Sequence, residues 1–318
     1  MPFTLSHPLF AAPLKKVIPA LSVTGLVLGS MAPDMEYFVA MQSFRSIGHS
    51  LPGFLLLGLP LCIAIAIAYT RVLKPALPAF MPSAGGIDRF VQEYAQRSSP
   101  ACLSITFLGW TMFVLSAFIG YFTHIFVDNW THRYGFFVLR VPSLLERVGP
   151  YGVYYLLQLG LSLLGVAVPA LWLMVKWIRW LMRDTKPEET KHTHHKYRDK
   201  LYAPLVLYGA GAGALLLLFK LALAPNPWFL NLWVVAPFTS MFFAFFCIAL
   251  LHLARKNGRT ALTAASIALL LAIIGGSTWF RLQNGAGAGE WIMFHWLLSV
   301  SIILCSAAAN PLKVKKLQ

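Results

Sequence analysis

Three residues at the end of a long apolar run have side chains that bind metal ions or protons. His124, Asp128 and His132 follow one another at intervals of four residues, in a run that begins near Leu103. Residues i and i+4 are neighbours on one face of an α-helix, so this spacing predicts a polar stripe on an otherwise apolar helix. Because polar groups are costly to bury without partners, the stripe indicates a binding site.

Three more residues of the same types lie upstream and complete a set of six. The set falls into two blocks, residues 7 to 49 and 124 to 132: His7, Asp34, His49, His124, Asp128 and His132. Imidazole and carboxylate ligands suit zinc or manganese. His124 and Asp128 can hold one ion from one helical face, whereas His132 is rotated by about 80° and either serves a second ion or orients another ligand. The alternative is that these groups are solvated or cap helix ends.

The composition is that of an integral membrane protein. The chain is 58% hydrophobic and 12% charged, with a mean hydropathy of +0.67. Runs of about 20 apolar residues can span a bilayer as helices. Seven are present, near residues 51 to 70, 103 to 127, 152 to 176, 201 to 223, 229 to 253, 261 to 280 and 291 to 309. These runs predict an all-α, polytopic transmembrane helical bundle of seven spans.

The basic residues predict the orientation of these spans. Twenty Lys and Arg lie in one alternating set of segments and five in the other. Because cytoplasmic loops retain Lys and Arg, the first set is expected in the cytoplasm together with the carboxyl terminus. The segments around 32 to 50 and 128 to 151 then share the outer face. Basic residues spread over loops also explain the net charge of +15 without nucleic-acid binding.

The amino-terminal segment determines whether His7 can join the other five residues. If residues 17 to 32 cross the membrane, His7 lies on the opposite side from Asp34. However, Pro13 and Pro19 interrupt this region, and residues 20 to 31 form a helix of only about 18 Å. Short helices or a re-entrant hairpin would return His7 to the side of Asp34. A cleaved signal peptide is the weaker alternative.

The clustered residues divide the chain into two regions. Residues 1 to 150 contain the candidate metal site and two to three membrane segments. Residues 151 to 318 are expected to form a five-helix scaffold that includes a basic cytoplasmic loop at 179 to 200. His192, His194 and His195 lie in that loop without a nearby carboxylate in the sequence, so we interpret them as solvated or in contact with lipid headgroups.

Four sequence motifs resemble a known family. They are Pro-Phe-Thr-Leu-Ser-His-Pro at 2 to 8, Gly-Ser-Met-Ala-Pro-Asp-Met-Glu-Tyr-Phe at 29 to 38, Gly-His-Ser at 48 to 50, and Thr-His-Ile-Phe-Val-Asp with Thr-His at 123 to 132. The chain resembles the bacterial inner-membrane family called domain of unknown function 4184. The resemblance implies a location in the bacterial cytoplasmic (inner) membrane and names no activity.

The order of the six residues is similar, more distantly, to that of membrane-bound metal-dependent hydrolases and zinc-dependent phospholipase C. That likeness implies one metal at Asp34, His49, His124 and Asp128, and another at His7 and Asp128. It also implies that His132 is an additional ligand. The phospholipase has an amino-terminal Trp ligand and a later His-x-x-x-Glu pair. This sequence has no equivalent Trp at its start and no such pair after His132. One or two ions are therefore expected.

Three functions fit these observations. The first is a metal-dependent hydrolase of a phosphoester or lipid-like substrate, in which metal-activated water is the nucleophile and Asp34 or Glu36 the general base. The second is a metal or proton transporter, because intramembrane ionisable residues line such paths. The third is a non-catalytic membrane protein with a structural metal. The sequence has no Gly-x-Ser-x-Gly or phosphate-loop motif that would favour other enzyme classes.

Overall fold

The computed structural model confirms an all-α membrane protein. It describes residues 4–42, 44, 46–97, 106–183, 191–224, 226–285 and 287–311, with side chains in the helix that begins at Lys191 described from residue 204. Seven helices in these ranges are long and apolar enough to span a membrane. The predicted number of spans is therefore confirmed.

The chain begins with short helices. These elements are a 3-10 turn at Thr4–Ser6, α1 at Pro8–Ala11, α2 at Leu14–Val17, α3 at Val23–Met31, a 3-10 turn at Ala32–Asp34 and α4 at Met35–Ala40. The longest, α3, has nine residues and is about 14 Å long, against a hydrocarbon thickness of about 30 Å. The structure thus confirms an amino-terminal short-helix segment in place of an eighth span.

The first span is longer than the sequence predicts. It runs continuously over Leu51–Phe80, ten residues beyond the expected end at 70. Its parts are α5 at Leu51–Gly53, a π-helical segment at Phe54–Gly58, α6 at Leu59–Ala68, a second π-helical segment at Tyr69–Leu73, α7 at Lys74–Ala76 and a 3-10 turn at Leu77–Phe80. The Ser50 hydroxyl caps its start by accepting a hydrogen bond from the Gly53 amide.

The remaining elements complete the bundle. They are a 3-10 turn at Ala84–Gly86, α8 at Ile87–Arg97, α9 at Phe107–Thr131, α10 at Pro142–Leu145, strands β1 at Arg147–Val148 and β2 at Tyr151–Gly152, α11 at Val153–Arg183, α12 at Lys191–Ala222, α13 at Leu230–Lys256, α14 at Thr260–Asn284 and α15 at Ala288–Ala309. The two strands form an antiparallel hairpin that pairs Arg147 with Gly152 and Val148 with Tyr151.

The expectation of a loop over residues 179 to 200 is wrong at both ends. Helix α11 continues to Arg183 and α12 already begins at Lys191, while residues 184 to 190 lie outside the described chain. Polar residues such as Lys and Arg are good helix formers, so a helix can continue past the end of its apolar run. The side chains of His192, His194 and His195 lie outside the described set.

Contacts divide the chain into two compact units that alternate along the sequence. The first comprises Met1–Met35, Ile47–Cys62 and Ala101–Arg179, and the second comprises Glu36–Ser46, Ile63–Pro100 and Trp180–Gln318. All six predicted metal ligands belong to the first unit. The division of the sequence into functional regions at residue 150 stays a prediction.

The core of the first unit is the close packing of α3 on α9. A side-chain carbon at Gly29 would collide with the carbonyl of Ala117, and one at Gly120 with the carbonyl of Leu26. The amide of Ser22 also donates to the Ser116 hydroxyl at 2.7 Å. Small residues therefore let two backbones approach closely, as is typical of helices packed in membranes.

In the second unit, α13 packs against α12, α14 and α15. Two asparagine side chains connect helix ends within this unit. The Asn257 side-chain amide donates to the Ala309 carbonyl at 2.9 Å, and the Asn310 side-chain amide donates to the Arg71 carbonyl at 2.8 Å.

Candidate metal centre

Different local structures position the six predicted ligands. His7 follows the first 3-10 turn, and Asp34 ends the 3-10 turn Ala32–Asp34, which follows α3 and contains Pro33. His49 lies just before the capped start of the first span. The last three ligands are carried by α9 and its end: His124, Asp128 and His132. The fold brings these residues together in the first unit.

One side-chain atom from each of four residues lies within 4.0 Å of two of the others: Asp34, His49, His124 and Asp128. The Nε2 of His49 is 3.3 Å from Oδ1 of Asp34 and 3.6 Å from Oδ2 of Asp128. The Nε2 of His124 is 3.2 Å from the same Asp128 oxygen and 4.0 Å from the Asp34 oxygen. Each histidine therefore faces both carboxylates.

These distances fit a four-coordinate ion. Zinc bonds of about 2.0–2.1 Å in tetrahedral geometry place ligand atoms about 3.3 Å apart. The four distances, from 3.2 to 4.0 Å, need only small side-chain movements to reach that value. The four distances thus suit a zinc ion, and ligand atoms lie within 4.8 Å of one another in two overlapping groups: His7, Asp34 and His124, and His49, His124 and Asp128.

The orientation of the His124 ring supports the same interpretation. Its Nδ1 lies 2.7 Å from the carbonyl oxygen of Ser30 on α3. Because a carbonyl oxygen only accepts, Nδ1 carries the proton, and in the neutral ring Nε2 has the lone pair. Nε2 faces the carboxylates of Asp34 and Asp128, so in the metal-free protein it carries a second proton and the ring is charged, and a bound metal ion would take the place of that proton.

A second set surrounds the other oxygen of Asp128. Oδ1 is 3.7 Å from Nε2 of His7 and 3.5 Å from Nδ1 of His132. The rings of His7 and His124 are stacked, with centroids 3.8 Å apart. Nδ1 of His132 also lies 3.1 Å from the backbone oxygen of Asp128, so only Nε2 of that ring is free to face a ligand in the neutral form. Asp128 is thus shared by two groups of histidines.

Several buried polar atoms in this cluster lack hydrogen bonds within the described part of the chain. They are both ring nitrogens of His7, Nε2 of His124 and Oδ1 of Asp128. A buried polar atom without a partner costs about 1–3 kcal/mol. A cation bound among these atoms would remove that cost for the Asp128 oxygen and for one ring nitrogen of each histidine.

The cluster has a buried side and an accessible side. His7, His124 and Asp34 are almost completely buried. The side chains of Asp128 and His49 are 14% and 15% exposed, and that of His132 is 36% exposed. Solvent therefore reaches the centre from the end of α9.

Burial also sets the protonation of the two ligands outside the spans. Desolvation, reinforced by the charge of His124, lowers the pKa of His7 to about 3, so its ring is neutral at neutral pH. For Asp34, burial alone would raise the pKa, but the hydrogen bond from His49 and the charges of His124 and His49 outweigh it and lower the pKa. A neutral imidazole and an ionised carboxylate are the forms that bind metals.

Two residues that were not predicted position these ligands. The Thr4 hydroxyl donates to Oδ2 of Asp34 at 2.7 Å, leaving Oδ1 directed at His49 and His124. The Tyr121 hydroxyl donates to the His49 carbonyl at 3.2 Å. Thr4 lies within the first of the four motifs, three residues before His7, and that proximity was the only signal for it in the sequence.

Glu36, the second predicted general base, has its described partners in the second unit. Its Oε2 accepts hydrogen bonds from the Ser46 amide at 3.0 Å, from the Ser46 hydroxyl and from the Trp291 ring nitrogen at 3.1 Å. Its role in catalysis stays a prediction.

Comparison with known proteins identifies the family of the chain. A family model described as "Domain of unknown function (DUF4184)" matches residues 1–277. No curated protein matches the chain, and no solved structure does. The likeness to metal-dependent hydrolases therefore stays a prediction. Since the family model covers most of the 318 residues, the chain belongs to the DUF4184 family.

Proposed function

We propose that this protein is a metal-dependent hydrolase that acts on a phosphoester or lipid-like substrate at the outer face of the bacterial cytoplasmic membrane. Asp34, His49, His124 and Asp128 would hold a divalent ion, zinc or alternatively manganese. The observation that carries the proposal is the His124 ring, whose Nδ1 is hydrogen-bonded to Ser30 while Nε2 faces two carboxylates. This arrangement suits a cation.

A second ion would use the remaining donors. The first set of ligands does not use Oδ1 of Asp128. His7 and His132 both lie beside this oxygen. Asp128 would then bridge the two positions, while His132 either ligates through Nε2 or orients the carboxylate. The donor set thus accommodates one or two ions.

The chemistry expected of the site follows from its donors. A bound divalent ion supplies Lewis-acid chemistry, by lowering the pKa of water and polarising a phosphoryl oxygen. Asp34 is the candidate general base within the cluster, because its carboxylate lies beside the proposed ion, and the Thr4 hydroxyl fixes its orientation. Glu36, two residues further along the chain, is the alternative base.

The accessible side of the cluster favours catalysis over a structural ion. A catalytic zinc ion keeps one position open. Asp34, His49, His124 and Asp128 together would fill a four-coordinate ion, so the open position would require one of these ligands to give way, or would belong to the second ion at His7 and Asp128. Here the exposed residues, His49, Asp128 and His132, line the side on which a substrate could approach. His132 also ends a membrane-spanning helix, so a substrate carried in the membrane lipid would meet the site at the bilayer surface.

Metal content is the first test. Detergent-purified wild type is expected to retain zinc or manganese, measured by elemental mass spectrometry, and His124→Ala and Asp128→Ala to lose it. Loss of an outer hydrogen-bond partner already weakens metal sites by about 10- to 100-fold, so loss of a direct ligand should weaken binding more. His252→Ala and Asp88→Ala, which remove the same groups from the second unit, are the controls. Unchanged metal in the first two variants would exclude the proposal.

Activity separates the three functions. We expect the metal-loaded wild type to cleave a chromogenic phosphodiester. The metal-free variants His124→Ala and Asp128→Ala should not cleave it. Metal or proton uptake into proteoliposomes without cleavage would instead favour a transporter. Bound metal with neither activity would indicate a structural ion.

A further inference from the structure

A second group of charged side chains lies entirely within the second unit. It forms where the end of α12, the end of α14 and the beginning of α15 meet the segment Glu36–Ser46. Two cations among the described residues of this group, Lys220 and Arg281, both lie in membrane-spanning helices. Intramembrane cations are costly and usually serve a binding role.

Lys220 is held by neutral groups alone. Its Nζ donates to the Ala40 carbonyl at 3.0 Å and to Oε1 of Gln42 at 3.1 Å. A lysine ammonium has three donors, so one N–H remains for another acceptor. The charge of Lys220 is not matched by a carboxylate within the described residues.

Arg281 is held by aromatic rings. Its guanidinium carbon lies 4.2 Å from the ring centroid of Trp291 and 5.2 Å from that of Phe44. Its buried Nε has no hydrogen-bond partner in the described ranges. The rings fix the guanidinium plane and leave its donors free, which prepares it for a planar or bidentate acceptor.

The described hydrogen bonds of the buried carboxylate in this group come from neutral donors. Glu36 is 2% exposed, and its Oε2 accepts hydrogen bonds from Ser46 and from the ring nitrogen of Trp291. Lys220 bonds to Ala40 and Gln42, and Arg281 lies over Phe44, so both cations contact the same short segment of chain. Within the described residues, neither cation therefore has a carboxylate at ion-pair distance, at a place where charge is costly.

We propose that Lys220 and Arg281 together bind a phosphate group. Arginine forms paired hydrogen bonds with phosphate oxygens, and the remaining lysine donor adds a point charge beside it. The bound anion would replace the counter-charge that the described residues lack. This site lies in the second unit and does not depend on the metal-dependent activity.

Two sources can supply such a phosphate: the headgroup of an anionic phospholipid or free phosphate. Both cations lie near the ends of apolar helices, where lipid headgroups occur. The chemistry of recognition is the same for both sources, so the experiment includes an arm for each.

The test measures binding to the full-length protein in detergent by native mass spectrometry. Wild type is expected to retain phosphatidylglycerol. It should not bind diacylglycerol with the same acyl chains, because that lipid has no phosphate. Each substitution removes a charge-assisted hydrogen bond, so Lys220→Gln and Arg281→Gln should each weaken binding about tenfold or more. Lys176→Gln and Arg140→Gln, which remove cations that also contact aromatic rings, are the matched controls.

The arms distinguish the sources and can overturn the proposal. Binding of inorganic phosphate without the lipid would identify free phosphate as the ligand. Arg281→Lys, which keeps the charge but not the paired donors, should bind more weakly than wild type and more tightly than Arg281→Gln, a ranking that general unfolding would not produce. Equal retention by wild type, Lys220→Gln and Arg281→Gln would overturn the proposal, as would a wild type that binds neither probe.

Discussion

At the scale of single residues, Asp128 forms the largest number of described ion pairs in the candidate centre. Its Oδ2 faces His49 and His124, and its Oδ1 faces His7 and His132. A carboxylate can serve two ions because its oxygens point in different directions. The resemblance of the residue order to that of metal-dependent hydrolases implied that two metal positions share Asp128. The distances are consistent with that.

The two carboxylates proposed as general bases are predicted to differ in metal binding. Asp34→Asn should lose bound metal, because an amide is a weaker ligand and Oδ1 faces two histidines. Glu36→Gln should keep it, because the described bonds of Glu36 run to Ser46 and Trp291. Metal per chain, measured on both purified variants, checks this. Loss of metal from Glu36→Gln alone would reverse the assignment.

Thr4 provides a second prediction at this scale. Thr4→Val has nearly the same shape but cannot donate to Oδ2 of Asp34, so the carboxylate loses its fixed orientation. Metal affinity should fall by about 10- to 100-fold, as for other partners of metal ligands. Competition titration with a chelating dye measures the change. Thr111→Val, whose hydroxyl bonds to its own helix at Phe107, is the control and should bind as wild type does.

At the scale of elements, the pair α3 and α9 determines the geometry of the site. Ser30 on α3 supplies the carbonyl that orients His124 on α9, and this contact requires the close approach at Gly29 and Gly120. The apolar run and its length predicted α9 well, because a span must be long and apolar. The pairing of α3 with α9 was beyond prediction, since small residues occur in many helices.

Gly120→Ala tests this packing. The added carbon would collide with the backbone of α3 and should destabilise the protein by about 1–3 kcal/mol while lowering metal content. Thermal unfolding in detergent measures the first effect and elemental analysis the second. Gly275→Ala places the same carbon on α14 in open space and should cause neither loss. Equal behaviour of the two variants would show that the close contact is not needed.

At the scale of the whole molecule, the distribution of Lys and Arg predicts which side faces out. The carboxyl terminus itself, residues 312 to 318, lies outside the described residues. We expect Tyr134→Cys, at a position 80% exposed after α9, to react with a membrane-impermeant thiol reagent in intact cells. Lys256→Cys, at the exposed end of α13, should react only after lysis. The opposite labelling pattern would place the candidate centre on the cytoplasmic side.

The sequence alone determined the class of the protein, its seven spans and the six residues in question, because apolar length and ligand chemistry are properties of residue types and spacing. It misplaced two helix ends. The helix expected to end at residue 70 continues to Phe80, and the helix expected to begin at residue 201 begins at Lys191, where polar helix formers extend it. Only the tertiary structure brought His7, Asp34 and His49 beside α9 and revealed the parts played by Thr4 and the Ser30 carbonyl. Contacts between distant segments, above all those made by backbone atoms, depend on how helices pack and leave no pattern in a single sequence.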